Sequence, residues 1–442
     1  MRHHIENALW GTLDYAVYPV SMLLMAPILL RALGPAQFGI WAFASAAGNT
    51  GAILASGFGD ANIQHVALAR STRNSGRVEQ CIRTTVAVHL LLGFFIAGAM
   101  CIAAPVIAER VANGTADVHQ CVACLRIAAG TIPLRAIETV IVSTQRAFER
   151  YSEAVRISAS VRVFSLGVSA GLAVLGWNSQ QILAAAAVLM ALGTLAQCVR
   201  LCNLVTARSL VPLLDPEAGK SLIKVGSLTW LQSAAAVIFG QVDRLVVGVV
   251  YGSVTVGAYT LCVQMAQPIA GITASALHFV FPYLARTTET GGLQGLRVKV
   301  AKVLICNLLL VSVEAGVLLR FGGRLIRIWA PSVALHMPPS VLPVAVLASA
   351  LVGLSVTGTY AMLAIGRAGA VVWMTLASGA AMLCSVGWLW RHFGVTGVAA
   401  SRVLFGLVSL GIYIHVARLL NKRAALSQSL ALLHVAAAKE GL

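Results

Sequence analysis

Runs of about 20 predominantly apolar residues, the length of helix that crosses a bilayer, follow one another along this chain with only short polar links between them. That succession constrains the fold more than any motif. Of the 442 residues, 58% are hydrophobic and only 11% are charged, against about 25% charged in ordinary soluble domains. A soluble protein has too little interior to hide so much apolar sequence and too little charge here to cover its surface. The mean hydropathy of +0.85 agrees. The runs do not alternate, so spanning helices are expected rather than an outer-membrane barrel. The predicted class is an all-α polytopic membrane protein.

Twelve segments qualify as spans: 9–30, 38–59, 84–108, 121–142, 157–176, 181–201, 223–250, 256–284, 301–320, 340–363, 370–390 and 396–418. The first is too long for a signal-peptide core and lacks a small-residue cleavage site, so it is read as a retained span. Lys and Arg concentrate in the N-terminus, the even-numbered links and the tail, as in "ARSTRNSGRVEQCIR", "QRAFERYSEAVR" and "RLLNKR". The odd links hold Arg31, Arg110, Arg320, Arg324, Arg327 and Arg391. The positive-inside rule then places both termini in the cytoplasm. The net charge of +17 is thereby explained by orientation in a lipid bilayer and contact with anionic headgroups, and no nucleic-acid partner is expected. Pro212 and Pro216 mark a cytoplasmic link at 209–222 between a six-helix lobe at 1–208 and a second at 223–423, with a cytoplasmic tail at 424–442.

The two lobes look like copies. "LGPAQFGIW" and "YGSVTVGAY" both read G-x4-G-x-aromatic: Gly34, Gly39 and Trp41, then Gly252, Gly257 and Tyr259. Each joins the first two spans of its lobe, and each is followed by a basic exit, ending at Arg70 in one and Arg286 in the other. Six spans is an even number, so the copies are parallel, related by an axis along the membrane normal. A tight hairpin explains the glycines, and an aromatic ring at interface depth explains the third position.

"LLRALGPAQFGIWAF", the second-half "DRLVVGVVYGSVTVGAYTLCVQM" and the later "LIRIWAP" resemble the polysaccharide-flippase (Wzx-like) family of the multidrug/oligosaccharidyl-lipid/polysaccharide exporter superfamily. The resemblance covers most of the chain. It implies two six-helix lobes in a V around a central cavity that opens alternately to each side. It implies a transported undecaprenyl-diphosphate-linked oligosaccharide, moved from the cytoplasmic to the periplasmic leaflet of a bacterial inner membrane. Polysaccharide polymerase and other assembly proteins are the partners it suggests. A transporter of this kind is not an enzyme.

Charges at membrane depth cost about 2.5–3.5 kcal/mol each on insertion scales and persist where they face a cavity or a partner. Arg135 and Glu138 sit near the middle of the fourth span, three residues apart, and can share a face. They are read either as a structural ion pair or as cavity groups. Asp243 and Arg244 are neighbours, so on a helix they point about 100° apart and at least one needs another partner. Arg126, Arg162 and Arg402 lie nearer helix ends, where they either snorkel or line the cavity. Arg31 closes the first span. These six arginines (Arg135, Arg244, Arg31, Arg126, Arg162 and Arg402) are the candidates for holding a diphosphate, which guanidinium groups bind with two parallel hydrogen bonds. Asp243, Glu138, Asp14 and Glu314 are the candidates for coupling to an H+ or Na+ gradient. Arg320, Arg324 and Arg327 run against the positive-inside trend. They either meet the anionic product or sit on a small interfacial helix.

No cofactor or metal is expected. The nine cysteines lie mostly in apolar runs, and the Cys121-x-x-Cys124 and Cys198/Cys202 pairs have no histidine or second pair to complete a metal site. No P-loop, H-E-x-x-H or G-x-S-x-G motif is present. The sequence also admits two other readings. One is a drug/cation antiporter of the same superfamily, which the membrane arginines disfavour. The other is a membrane polymerase or ligase acting on lipid-linked glycans, which the short outer loops disfavour.

Overall fold

The computed structural model describes residues 2–71, 75–112, 117–205, 211–277, 284, 292–331, 337–419 and 421, with most of the side chains from Ser21 onward. Among them there are helices and turns but no strands. A helix satisfies every backbone donor and acceptor within itself, which lipid demands. The first lobe comprises α1 (Arg2–Ala55), α2 (Gly59–Ser71), α3 (Ser75–Ala112), α4 (Val118–Ala147), α5 (Tyr151–Val174) and α6 (Ser179–Leu204). The second comprises α7 (Pro216–Val237), a π-helical turn (Ile238–Val242), α8 (Asp243–Ala276), α9 (Gly292–Trp329), α10 (Val341–Ala364) and α11 (Ala368–Ser409).

Eight helical runs among the described residues are long and apolar enough to cross a membrane, fewer than the twelve spans expected from sequence. Three of the eight, 24–71, 230–276 and 368–419, are 48, 47 and 52 residues long. At 1.5 Å per residue each is over twice the roughly 30 Å of a hydrocarbon core. Each is broken by one glycine with positive φ: Gly34, Gly252 and Gly394. The links at those places are single bent residues inside a helical ladder, too short to register as loops. Helix α4 is not among the eight. Arg126, Arg135, Glu138 and Arg146 interrupt its apolar run.

The backbone repeats itself. Gly34 to Gly252 is a step of 218 residues, and Gly176 to Gly394 is the same step. Glu149 to Gly366 is a step of 217. These three pairs account for every described positive-φ residue. Helices α3 and α9 agree, each 38 residues long with both ends 217 apart.

Outward faces are apolar. Phe95 and Ile102 on α3, Leu195 on α6, and Leu309 and Val313 on α9 are all exposed, as expected where the solvent is lipid. The lobes meet through α1 and α8. A Cβ placed on Gly39 would lie 1.7 Å from the Ser253 carbonyl oxygen, and one on Gly257 3.1 Å from that of Pro35. Those two contacts are related by the repeat: 35 pairs with 253, and 39 with 257. The second glycine of the motif therefore does not form the bend. It lets two helices from different lobes touch backbone to backbone, the role small residues serve in membranes. At the other end of the second span, Trp230 Nε1 donates to the Leu54 carbonyl at 2.8 Å, and Phe58 packs over Gly226.

Candidate functional site

A polar cleft runs along the inner side of the first lobe. It widens into two chambers that share Arg135, Glu138 and Arg162 in their walls. The chamber towards Trp41 has a volume of about 130 Å³ and lies between the second leg of α1, α4, α5 and α6. Ser45, Asn49, Thr131, Ser165 and Ser169 supply its polar lining, and Trp41, Leu166 and Leu183 its apolar lining. The chamber towards the basic end has a volume of about 310 Å³ and adds Ser56, Asp60, Thr139, Ser143 and Arg146, with Ser233 reaching in from the second lobe.

Local sequence explains the placement. Asp117 caps α4 by accepting from the His119 amide at 2.8 Å, which starts the helix. Arg135 and Glu138 are one turn apart on that helix and face the same cleft. Asn62 then fixes α2 to α4, with Nδ2 donating to Ser143 Oγ at 2.8 Å and Thr144 Oγ1 at 3.0 Å. Asn178 starts α6 with a reciprocal cap, accepting from the Gln181 amide at 2.9 Å while Gln181 accepts from its own. Gly48 permits the close approach of α1 and α4, since a Cβ there would meet Ala128 at 3.2 Å.

Arg135 is exposed to the cleft and forms no ion pair with Glu138 or any other described residue. Glu138 and Arg162 are half-buried in the same walls. A guanidinium held open at this depth can take a phosphate in a bidentate grip. The surrounding hydroxyls and amides can meet sugar hydroxyls. Asp60 and Arg146 belong to the same cleft and were not singled out from the sequence. Both sit at helix ends on the basic side, where charge is ordinary.

The other sequence candidates fall elsewhere. Asp243 and Arg402 are completely buried and pair at 2.8 Å. Tyr259 donates to Asp243 at 2.7 Å. Arg402 also donates to the Phe239 carbonyl at 2.7 Å and stands over its ring, 4.2 Å from the centroid. This pair ties α8 to α11 across the π-turn, inside the second lobe. Neither residue lines the cleft, because each already has its countercharge. Arg244 is buried beside Gln241 and Gln267, at 3.5 and 3.4 Å. Glu314 is half-buried and accepts from Thr273 at 3.4 Å. Arg126 is exposed near the start of α4. Arg31 is exposed and donates to the Ile328 carbonyl at the end of α9. The side chain of Asp14 lies outside the described residues. No group of three or more metal-ligating side chains occurs among the described residues.

A family model described as "Polysaccharide biosynthesis protein" matches residues 6–288, well over half the chain. No curated protein sequence matches. Among solved structures, the lipid II flippase MurJ in an inward closed conformation superposes with a TM-score of 0.74 at 11% identity, over 94% of this chain and 87% of that one. A multidrug resistance MATE family transporter of the MOP superfamily, inward-facing, gives 0.65 at 14% identity, over 95% and 96%. A MOP superfamily transporter from Pyrococcus furiosus, whose binding pocket is described as having reversed polarity, gives 0.52 at 15% identity, over 94% and 98%. At these identities the likeness establishes the fold.

Proposed function

This chain belongs to the polysaccharide biosynthesis protein family, and on that premise we propose that it is a flippase for a lipid-diphosphate-linked oligosaccharide. It carries the headgroup from the leaflet on the basic side, cytoplasmic in a bacterial inner membrane, to the opposite periplasmic leaflet. Counting the three glycine-bent runs as two crossings each, and adding α4, gives twelve crossings and leaves both termini on the basic side.

The observation that carries this reading is the first-lobe cleft, where Arg135 faces open space between two chambers lined with hydroxyls. Arg135 and Arg162 hold the diphosphate. Asn49, Thr131 and Ser165 meet the sugar. The polyprenyl chain stays in lipid. The Gly39–Ser253 contact seals the face away from the basic loops, so release there requires the lobes to part along α1 and α8. Better superposition on inward-facing relatives, 0.65 against 0.55 for an outward-facing MATE transporter, supports a cleft served from the basic side. If an H+ or Na+ gradient drives the cycle, Glu138 and Asp60 are the carboxylates in the cleft, and Asp243 is already neutralised. A cationic drug is disfavoured as cargo because unpaired Arg135 repels it. A polymerase acting on the delivered glycan is the partner this function calls for.

The test is leaflet accessibility of a labelled undecaprenyl-diphosphate oligosaccharide in vesicles containing the purified protein, with H+ and Na+ gradients imposed in turn. Transfer without change of substrate mass is expected, together with loss of transfer in folded Arg135→Ala. No transfer under either gradient rejects the reading for that lipid. A change of substrate mass means an enzyme instead.

A further inference from the structure

The three arginines that run against the positive-inside pattern stand on one helix. Helix α9 continues unbroken to Trp329, so Arg320, Arg324 and Arg327 belong to the spanning helix and not to a separate interfacial one. At 100° per residue, positions 320, 324 and 327 lie within about 60° of one another. All three are exposed, and among the described residues none makes an ion pair. The face they share is not the core face, where Gly322, Ile326 and Ala330 are buried.

Depth can be read along the same stripe. Lys302, on the basic side, is in line with Arg320, eighteen residues on. At 1.5 Å per residue they are about 27 Å apart, close to the thickness of a hydrocarbon core. Between them the stripe is apolar and outward-facing at Leu309 and Val313, which are 63% and 64% exposed. Arg320 therefore sits at the hydrocarbon boundary. Arg324 and Arg327 lie about 6 and 10 Å beyond it, at headgroup level.

We propose that this end of α9 is a binding site for an anionic phospholipid of the leaflet opposite the basic loops. Its phosphate is held by Arg320, Arg324 and Arg327, and its acyl chains lie along Val313 and Leu309. The pairing of a cationic stripe with an apolar strip directly below it fits a lipid and not a soluble anion or an acidic protein surface. The site adjoins the seal between the lobes. Arg31, three residues before the Gly34 bend, donates to the Ile328 carbonyl one residue past Arg327. A lipid seated on the stripe therefore touches the helix end to which the α1 bend is attached. This site is separate from the transport cleft and does not depend on which glycan is carried.

The test is native mass spectrometry of the full-length protein, delipidated and then titrated with phosphatidylglycerol, phosphatidylcholine or undecaprenyl diphosphate. Wild type is expected to retain phosphatidylglycerol selectively. Arg320→Gln/Arg324→Gln/Arg327→Gln is expected to lose roughly a hundredfold in retention, about fivefold per arginine. Arg391→Gln, on the same face of the membrane but on α11, should behave as wild type. The triple lysine variant should recover most of the retention. Equal retention of both lipids by wild type, or unchanged retention in a triple glutamine variant that melts normally, overturns the proposal. So does displacement of the lipid by millimolar inorganic phosphate. Preferential retention of undecaprenyl diphosphate would assign the stripe to the transported product and overturn the phospholipid assignment. Should the triple variant fail to fold, Arg324→Gln alone decides: a loss of about fivefold supports the site, and no loss rejects it.

Discussion

At position 135 the first lobe carries an arginine open to the cleft. A repeat step later, positions 352 and 353 of the second lobe are a valine and a glycine, and that glycine packs against Val311 and Thr273. Glu138 corresponds to Ser355 or Val356, and Arg162 to Gly379 or Ala380. The exchange runs the other way too. Asp243 and Arg402, paired in the second lobe, correspond to Met25 and Ala184 in the first. Two copies of one backbone plan have thus divided their charge. The first lobe leaves its arginine to the cleft, while the second pairs Asp243 with Arg402 inside itself. Duplication preserved what holds the helices in place, namely the bends and the glycine contacts between lobes. It left the intramembrane charges free to diverge. On this view the first lobe binds cargo, and the second is a braced body against which the first moves.

The largest expected effect tests the brace. Removing one partner of a fully buried ion pair typically costs about 3–5 kcal/mol, because the other charge is left without compensation. Arg402→Ala should therefore lower the melting temperature sharply or prevent folding. Arg402→Met combined with Asp243→Leu should recover most of that loss, since apolar replacement of both partners is often neutral. A double-mutant cycle on purified protein measures the coupling. Additive losses would show that the pair is incidental and that the second lobe is braced by packing alone.

Next is the seal, where the two contacts related by the repeat differ in closeness. Gly39→Ala forces a Cβ against a carbonyl 1.7 Å away, and Gly257→Ala meets its counterpart at 3.1 Å. Overpacking costs about 1–3 kcal/mol, and the first variant should stand at the top of that range and the second near the bottom. Parting the lobes relieves the clash. In a Gly39→Ala background, Ser253→Cys should accordingly label faster from the side away from the basic loops. Equal labelling with and without Gly39→Ala would mean that this contact is not where the lobes separate.

A smaller difference concerns the asparagines. Asn307 Nδ2 donates to the Gly353 carbonyl at 3.1 Å and Thr357 Oγ1 at 2.9 Å, joining α9 to α10. Asn62 joins α2 to α4 in the first lobe. Alanine at either should cost about 1–2 kcal/mol, as for a lost buried hydrogen bond with its acceptors left unmet. Melting curves of the two variants compare the stitching directly. A near-zero cost at Asn62 alone would mark the first lobe as the looser body.

Much of this was legible in the chain because it is local or repeated. Hydropathy announces the helices, and G-x4-G at matching places announces the duplication. Gly34 and Gly252 are bends because positive φ suits glycine. Gly39 and Gly257 misled for the same reason. Their neighbour is in the other lobe, and nothing in the motif says that a glycine is small for a distant backbone. The Asp243–Arg402 pair was equally hidden. The neighbour rule shows that Asp243 needs a partner, but 159 residues of chain separate it from the one it has. Arg135 and Arg162 were visible as charges at depth. Their sharing of one cleft depends on how α4 and α5 are rotated. Asp60 and Arg146 carried no signal, since charges at basic-side helix ends are common.

The smallest effect on stability should accompany the largest on transport. Arg135 is exposed to the cleft and makes no ion pair, so Arg135→Ala should change folding free energy by no more than about 0.5 kcal/mol, as for surface substitutions generally. Arg162→Ala, half-buried in the same walls, should cost somewhat more. A charge-assisted bond to phosphate contributes about 1.5–3 kcal/mol, so losing the Arg135 fork should weaken capture of a diphosphate headgroup by at least about tenfold to a hundredfold, the effect of one such bond. Arg135→Lys keeps the charge but loses the bidentate grip, and should fall between. Headgroup binding measured by quenching of a labelled lipid diphosphate, beside melting curves of the same samples, separates the two quantities. If Arg135→Ala lost stability and kept its affinity, the arginine would be part of the first lobe's own structure. The division of roles between the lobes would then fail at the residue that most defines it.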